Sequence, residues 1–236
     1  MDRRRYLYWL FEAKTWSGLC VLDYMVTSNH VHLLVEDTGG DVIAQSMQLI
    51  AGRTAQYNER KNRHGAFWED RYHASAIEAD EHLHRCLVYI DLNMVRAGAV
   101  SHPGDWEQSG YVEIQNRPKR YAIIDVRELT SLCGFADSSD FQLAHYQWVK
   151  NALDARDTAR DDHWSEAIAV GNLTFVESVK SELRNRAIYR MVEHSDGAYA
   201  LREQGEAYNS DFGGKSESLS IENTVVWNEK VAASDT

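Results

Sequence analysis

The sequence predicts an α+β fold, an antiparallel sheet covered by helices, followed by a mainly helical C-terminal extension. Three observations carry that reading. Helical and strand-like periodicities alternate in the order helix, strand, strand, helix, strand, helix over the first hundred residues. Two short apolar runs, Leu19–Val26 and Val31–Val35, are separated only by polar turn residues, which is the pattern of an antiparallel hairpin. No apolar run approaches the roughly 18–20 residues that a membrane span requires, and 44% hydrophobic with 26% charged residues suits a globular chain.

Each element has a local cause. Asp2 to Ser17 reads as a helix with Leu7, Leu10, Phe11 and Lys14 at helical spacing and Gly18 as its stop. Leu19–Val26 is apolar on both faces, Thr27-Ser28-Asn29 forms a turn, and His30–Glu36 is the second strand. Thr38-Gly39-Gly40 breaks the chain before a helix from Asp41 to about Arg60, striped by Ile43, Met47, Ile50, Thr54 and Tyr57. A loop with Asn62 and Gly65 leads to Trp68–Ile77, a strand in its second half. Asp80 is placed to cap a helix that buries Leu83, Cys86, Leu87, Ile90 and Met94 and stops near Gly98.

After Val112 the pattern changes. The expected division is a domain over 1–114, a linker at 115–120 containing Arg117-Pro118-Lys119-Arg120, short amphipathic helices over 121–205 and a mobile tail over 206–236. Charge divides similarly. Residues 1–120 carry 14 Lys/Arg against 16 Asp/Glu, whereas 121–236 carry 11 against 20, so the net charge of −11 belongs mostly to the C-terminal half. A near-neutral N-terminal half can still present the local cationic patches that nucleic acid requires. Three scattered cysteines and a charged start without a secretory pattern point to a reducing, cytoplasmic setting with no membrane partner.

Two segments carry chemistry. In Asn29-His30-Val31-His32-Leu33-Leu34-Val35, strand periodicity sends Val31, Leu33 and Val35 into the core and sets His30 and His32 side by side on the other face. Two imidazoles on one rigid strand can chelate a divalent metal, and the same pattern also occurs as hydrogen-bonded surface histidine. In Tyr89-Ile90-Asp91-Leu92-Asn93, Tyr89 and Asn93 are four residues apart and share a helix face. At about 100° per residue from the apolar stripe they fall near −120° and −80°, flanking it, with Arg85 and Arg96 further round the same side.

Together with Phe67-Trp68-Glu69-Asp70-Arg71-Tyr72 and the continuation Met94-Val95-Arg96-Ala97-Gly98, these segments resemble the HUH single-tyrosine transposases, most of all the branch called REP-associated tyrosine transposases. The similarity covers about residues 3–112. It implies a ferredoxin-like core in which His30 and His32 bind Mg²⁺ or Mn²⁺, Asn93 completes the metal site and Tyr89 is the nucleophile. It also implies single-stranded DNA carrying a hairpin as substrate, cleaved through a 5′-phosphotyrosine and rejoined without ATP, with the protein acting as a monomer or a homodimer. Arg53, Arg60, Lys61, Arg63, Arg71, Arg85 and Arg96 are the expected DNA contacts, since basic groups interleaved with aromatics suit single strands. The family begins with a strand before the first helix, whereas this sequence starts almost inside that helix. The first strand is therefore expected to be missing, either because the true start lies upstream or because the copy is truncated, and the alternative function is a truncated, catalytically inactive DNA-binding remnant. Thr27-Ser28 stands where the family has Met-Pro, and Asp91 and Met94 where it often has His and Pro.

Overall fold

The computed structural model describes residues 2–59, 72–79, 81–155, 163–187, 190–195, 197–203 and 223–228. The fold is α+β. Its N-terminal part runs α1 (Arg3–Ser17), β1 (Cys20–Val26), β2 (Val31–Glu36), α2 (Val42–Glu59), β3 (His73–Ile77), α3 (Glu81–Asp91) and α4 (Asn93–Arg96). Then follow α5 (Gly110–Gln115), α6 (Val126–Leu132), α7 (Ser138–Ala155), α8 (His163–Glu166), β4 (Ala169–Gly171) and α9 (Leu173–Leu183). The last elements are β5 (Arg190–Ser195), β6 (Ala198–Glu203) and β7 (Asn223–Asn228).

The boundaries follow the local signals. Asp2 caps α1 by accepting from the Arg5 amide at 3.3 Å, and Gly18 ends it at φ 74°, a conformation that favours glycine. The buried stripe of α1 is Tyr6, Leu10 and Ala13, so Leu7, Phe11 and Lys14 are flanking residues rather than its centre. In α3 the expected stripe of Leu83, Cys86, Leu87 and Ile90 is fully buried. The helix breaks at Leu92 and restarts as α4, where one continuous helix to Gly98 was expected; Asp80 lies outside the described residues.

One seven-stranded sheet has the order β1-β2-β7-β3-β4-β6-β5. β1 and β2 pair antiparallel, from Cys20↔Glu36 to Val26↔Val31, with a register shift between Val21 and Asp23. The rest corrects the expectation of an antiparallel sheet. β7 lies parallel to both β2 and β3, and β3 lies parallel to β4, so the sheet is mixed. Residues 223–228, within the segment expected to be a tail, are thus a central strand. The C-terminal part is mainly helical, as expected, with β4 and the β5–β6 hairpin added to the sheet edge. Parallel neighbours need long connections and leave no local turn signal, which is why patterning missed them.

Residues paired across β1 and β2 share a face. Tyr24, opposite Leu33, lines a groove with α1, while on the other face His32, opposite Met25, meets Tyr89 of α3 and Asp23, opposite Leu34, lies near Asp91. Asp23 is fully buried in a strand that reads as apolar. Its Oδ1 accepts from the Tyr24 amide at 2.8 Å, and a Cβ on Gly110 would fall 1.9 Å from the same oxygen, so only glycine lets α5 approach this closely.

Burial pushes the carboxyls of Asp23 and Asp91 well above the usual carboxylate range, and the nearby Asp91 raises Asp23 further. A raised folded-state pKa contributes stability that is present below the unfolded value and is lost as pH rises through the folded value. The wild-type chain is therefore expected to lose more stability between pH 6 and pH 9 than Asp23→Asn, measured by urea unfolding at both values. Parallel losses in the two proteins would show that Asp23 does not carry this dependence.

Candidate active site

The turn before β2 sets the site. The Thr27 amide and hydroxyl both donate to the His30 carbonyl, at 3.0 and 2.8 Å, and the Thr27 oxygen accepts from the His30 amide at 3.0 Å. This fixes His30 at the strand entrance, while β2 presents His32 two residues on. The two imidazoles meet edge to face with centroids 5.1 Å apart, and His32 is 5% exposed.

Asn93, the first residue of α4, reaches across to both rings. Its Nδ2 donates to His32 Nε2 at 2.9 Å, and its Oδ1 lies 3.3 Å from His30 Nε2. On the other side of the His30 ring, Nδ1–H donates to Asn29 Oδ1 at 3.1 Å. The tautomer protonated on Nδ1 leaves on Nε2 the lone pair that a metal ligand needs. Two imidazoles and an amide oxygen suit a divalent ion. Among the described residues, no cluster of three or more His, Cys, Asp or Glu that could hold a metal ion is present.

Tyr89 stands beside this group. Its ring centroid is 6.1 Å from that of His32 and 6.3 Å from that of Trp164 in α8. The Arg96 guanidinium sits 4.0 Å from the Tyr89 ring centroid and donates to the Tyr89 carbonyl. The phenol side chain is enclosed between a cation and an indole, with the residue 9% exposed. Patterning placed Tyr89 at the flank of the buried stripe; the helical extension turns that flank into an interior.

Of the expected DNA contacts, Arg96 is beside Tyr89 and Arg85 lies 6.0 Å from the Trp164 ring, so both are at the site. Arg53 lies on α2, in the layer on the opposite face of the sheet, with its guanidinium 5.3 Å from the Trp9 ring centroid. Arg60, Lys61, Arg63 and Arg71 lie outside the described residues, as does Phe67 to Arg71 of the central segment.

Sequence reasoning missed two participants and one buried neighbour. Trp164 is far along the chain and carried no motif. Asn29 was read only as a turn residue, although its neighbour His30 made its amide a candidate orienting group. Asp91, two residues from Tyr89, points away from the site and bonds the buried His145 of α7, whose Nε2–H donates to Asp91 Oδ2 at 2.7 Å. Burial holds His145 neutral, with its pKa down to about 3.

Two histidines at a sheet face and a tyrosine on the helix packed against it thus stand together at one site. Residues 2–93 match the family model described as transposase IS200 like. The matched span runs from the cap of α1 to Asn93 and so contains His30, His32 and Tyr89. The matched segment is thus similar to transposases. No curated protein and no solved structure matches the chain. No helix among the described residues is long and apolar enough to cross a membrane.

Proposed function

We propose that this chain cleaves and rejoins single-stranded, hairpin-bearing DNA, with Tyr89 as nucleophile and His30, His32 and Asn93 as ligands of Mg²⁺ or Mn²⁺. The observation that carries this reading is the convergence of both imidazoles and the Asn93 amide on one point beside the Tyr89 ring. The REP-associated branch and the single-tyrosine chemistry belong to this same reading.

A phenol with pKa about 10 is a weak nucleophile at neutral pH and needs an electrophilic phosphate. A divalent ion, when bound, polarises the scissile phosphate and neutralises charge developing there. The chain's own residues do the rest. Asn29 orients His30, Asn93 orients both rings, and Arg96 and Trp164 hold the phenol while excluding bulk water. Attack of the Tyr89 oxygen on phosphorus breaks the P–O3′ bond, and the phenolic proton ends, net, on the departing 3′-oxygen. A 5′-phosphotyrosine and a 3′-hydroxyl result. The ester conserves the bond's energy, so a 3′-hydroxyl can reverse the step without a nucleotide cofactor.

A second reading, DNA binding without cleavage, is favoured by one feature: Tyr89 is nearly buried between Arg96 and Trp164. One experiment separates the two. With a labelled hairpin-bearing single strand and Mn²⁺, the wild type is expected to form a covalent adduct on a denaturing gel, and Tyr89→Phe and EDTA-treated protein none. An adduct that survives Tyr89→Phe would remove Tyr89 as nucleophile, and binding without an adduct in the wild type would establish the second reading.

A further inference from the structure

Away from the Tyr89 face, α1, the end of β1 and the loop after α5 enclose an open groove of about 570 Å³. Tyr8, Phe11 and Tyr121 line it together with Tyr24, Glu107 and Asn116. Tyr8 is 52% and Tyr121 74% exposed, and Tyr121 meets Phe11 edge to face at 5.4 Å. Tyr121 has φ 60°, a conformation that costs a bulky residue energy and persists only where surrounding structure imposes it. Lys14 supplies that hold: its Nζ donates to the carbonyls of Ala122 and Ile124, each at 3.3 Å. The strain therefore keeps a large aromatic ring out in solvent, beside a second exposed tyrosine, with no core to gain.

The residues just before Tyr121 include Arg117, Lys119 and Arg120, all exposed. Along the same side, the Arg3 guanidinium lies 4.6 Å from the Trp106 ring, and Trp106 Nε1–H donates to the Val26 carbonyl at 3.1 Å, at the strand end that leads into the His30 turn. Aromatic faces bordered by cations match the two surfaces that a single strand offers, bases to stack and phosphates to neutralise. Glu107 and Asn116 add acceptors able to take the exocyclic amino group of a base.

We propose that this groove binds an unpaired base of single-stranded DNA, stacked on Tyr8, Phe11 and Tyr121, with its flanking phosphates on Arg117, Lys119 and Arg120. The inference rests on the single-stranded DNA reading above and adds to it a second site remote from Tyr89. It also gives the cationic segment at 117–120 a task beyond linking two parts of the chain.

The test uses fluorescence anisotropy on the full chain with labelled oligothymidylate and an abasic strand of equal length. The wild type is expected to prefer the strand that carries bases. Tyr8→Ala/Tyr121→Ala is expected to bind oligothymidylate about tenfold more weakly or worse and to lose much of that preference, with an unchanged thermal melt. Tyr8→Phe/Tyr121→Phe keeps the stacking faces and is expected to restore binding, which separates stacking from a folding defect. Should the alanine variant not fold, Arg117→Gln/Lys119→Gln/Arg120→Gln replaces it and is expected to flatten the salt dependence of binding. Unchanged preference in the alanine variant, an unchanged salt slope in the glutamine variant, or equal affinity of the wild type for both strands would each overturn the groove. No binding of either strand by the wild type would instead overturn the single-stranded DNA reading, and this inference with it.

Discussion

Val225→Pro is expected to lower the melting temperature by about 5–15 °C, the shift that a loss of some 2–4 kcal/mol gives a chain of this size. Val225 pairs with Leu33 on one side and Ala74 on the other. Proline there removes a backbone donor from a strand with neighbours on both edges, a place where proline is essentially not found. The effect extends beyond one bond. β7 pairs with β2 from Val31↔Asn223 to Glu36↔Asn228 and with β3 from His73↔Thr224 to Ala76↔Trp227. If β7 leaves, the facing backbone groups of two strands lose their partners, and buried unpaired groups are costly. Because β2 carries His32, Mn²⁺ affinity is expected to fall with stability. A variant that melts with the wild type, with unchanged amide exchange over 31–36, would show that the sheet does not depend on this strand.

His145→Ala is expected to cost about 2–4 kcal/mol, from the cavity a fully buried ring leaves and a buried carboxyl that loses its hydrogen-bond partner. Both side chains are fully buried, and His145 also takes a hydrogen bond on Nδ1 from Gln115 Nε2 at 3.0 Å. Truncation leaves the Asp91 carboxyl with no donor at Oδ2 and opens a cavity between α3 and α7. His145→Ala/Asp91→Leu is expected to be less destabilised than His145→Ala alone, because the stranded carboxyl is gone. Urea unfolding of the two single variants and the double closes the cycle. Strictly additive losses would mean that the pair contributes nothing beyond its packing. The contact also links the helix that bears Tyr89 to the C-terminal part of the chain, so adduct formation is a second readout of the same variants.

The candidate site was legible to the extent that its residues are close in sequence. His30 and His32 are two apart at the start of β2, and Tyr89 and Asn93 four apart across the α3–α4 break, so strand and helix periodicity put each pair together. What joins the pairs is the packing of α3 on the His32 face, and the resemblance to a family, rather than any period, supplied that step. Trp164, which completes the wall of Tyr89, comes from a helix with no local signal of its role. Asp23 was hidden for a similar reason: within an apolar strand an acidic residue reads as an interruption, and only the approach of Gly110 and Asp91 shows it as a buried polar centre.

The sequence by itself determined the α1, hairpin, α2 and α3 elements, the buried stripe of α3 and the neighbourhood of His30 with His32 and of Tyr89 with Asn93, because these depend on neighbours within about one helical turn or two strand positions. The tertiary structure alone decided that residues 223–228 sit between β2 and β3, that the sheet is mixed, and that Asp91 meets His145 across 54 positions. Pairings of that kind depend on which unfilled edge or buried group lies nearest once the helices have packed. That information is held in three dimensions and has no counterpart in any short window of the chain.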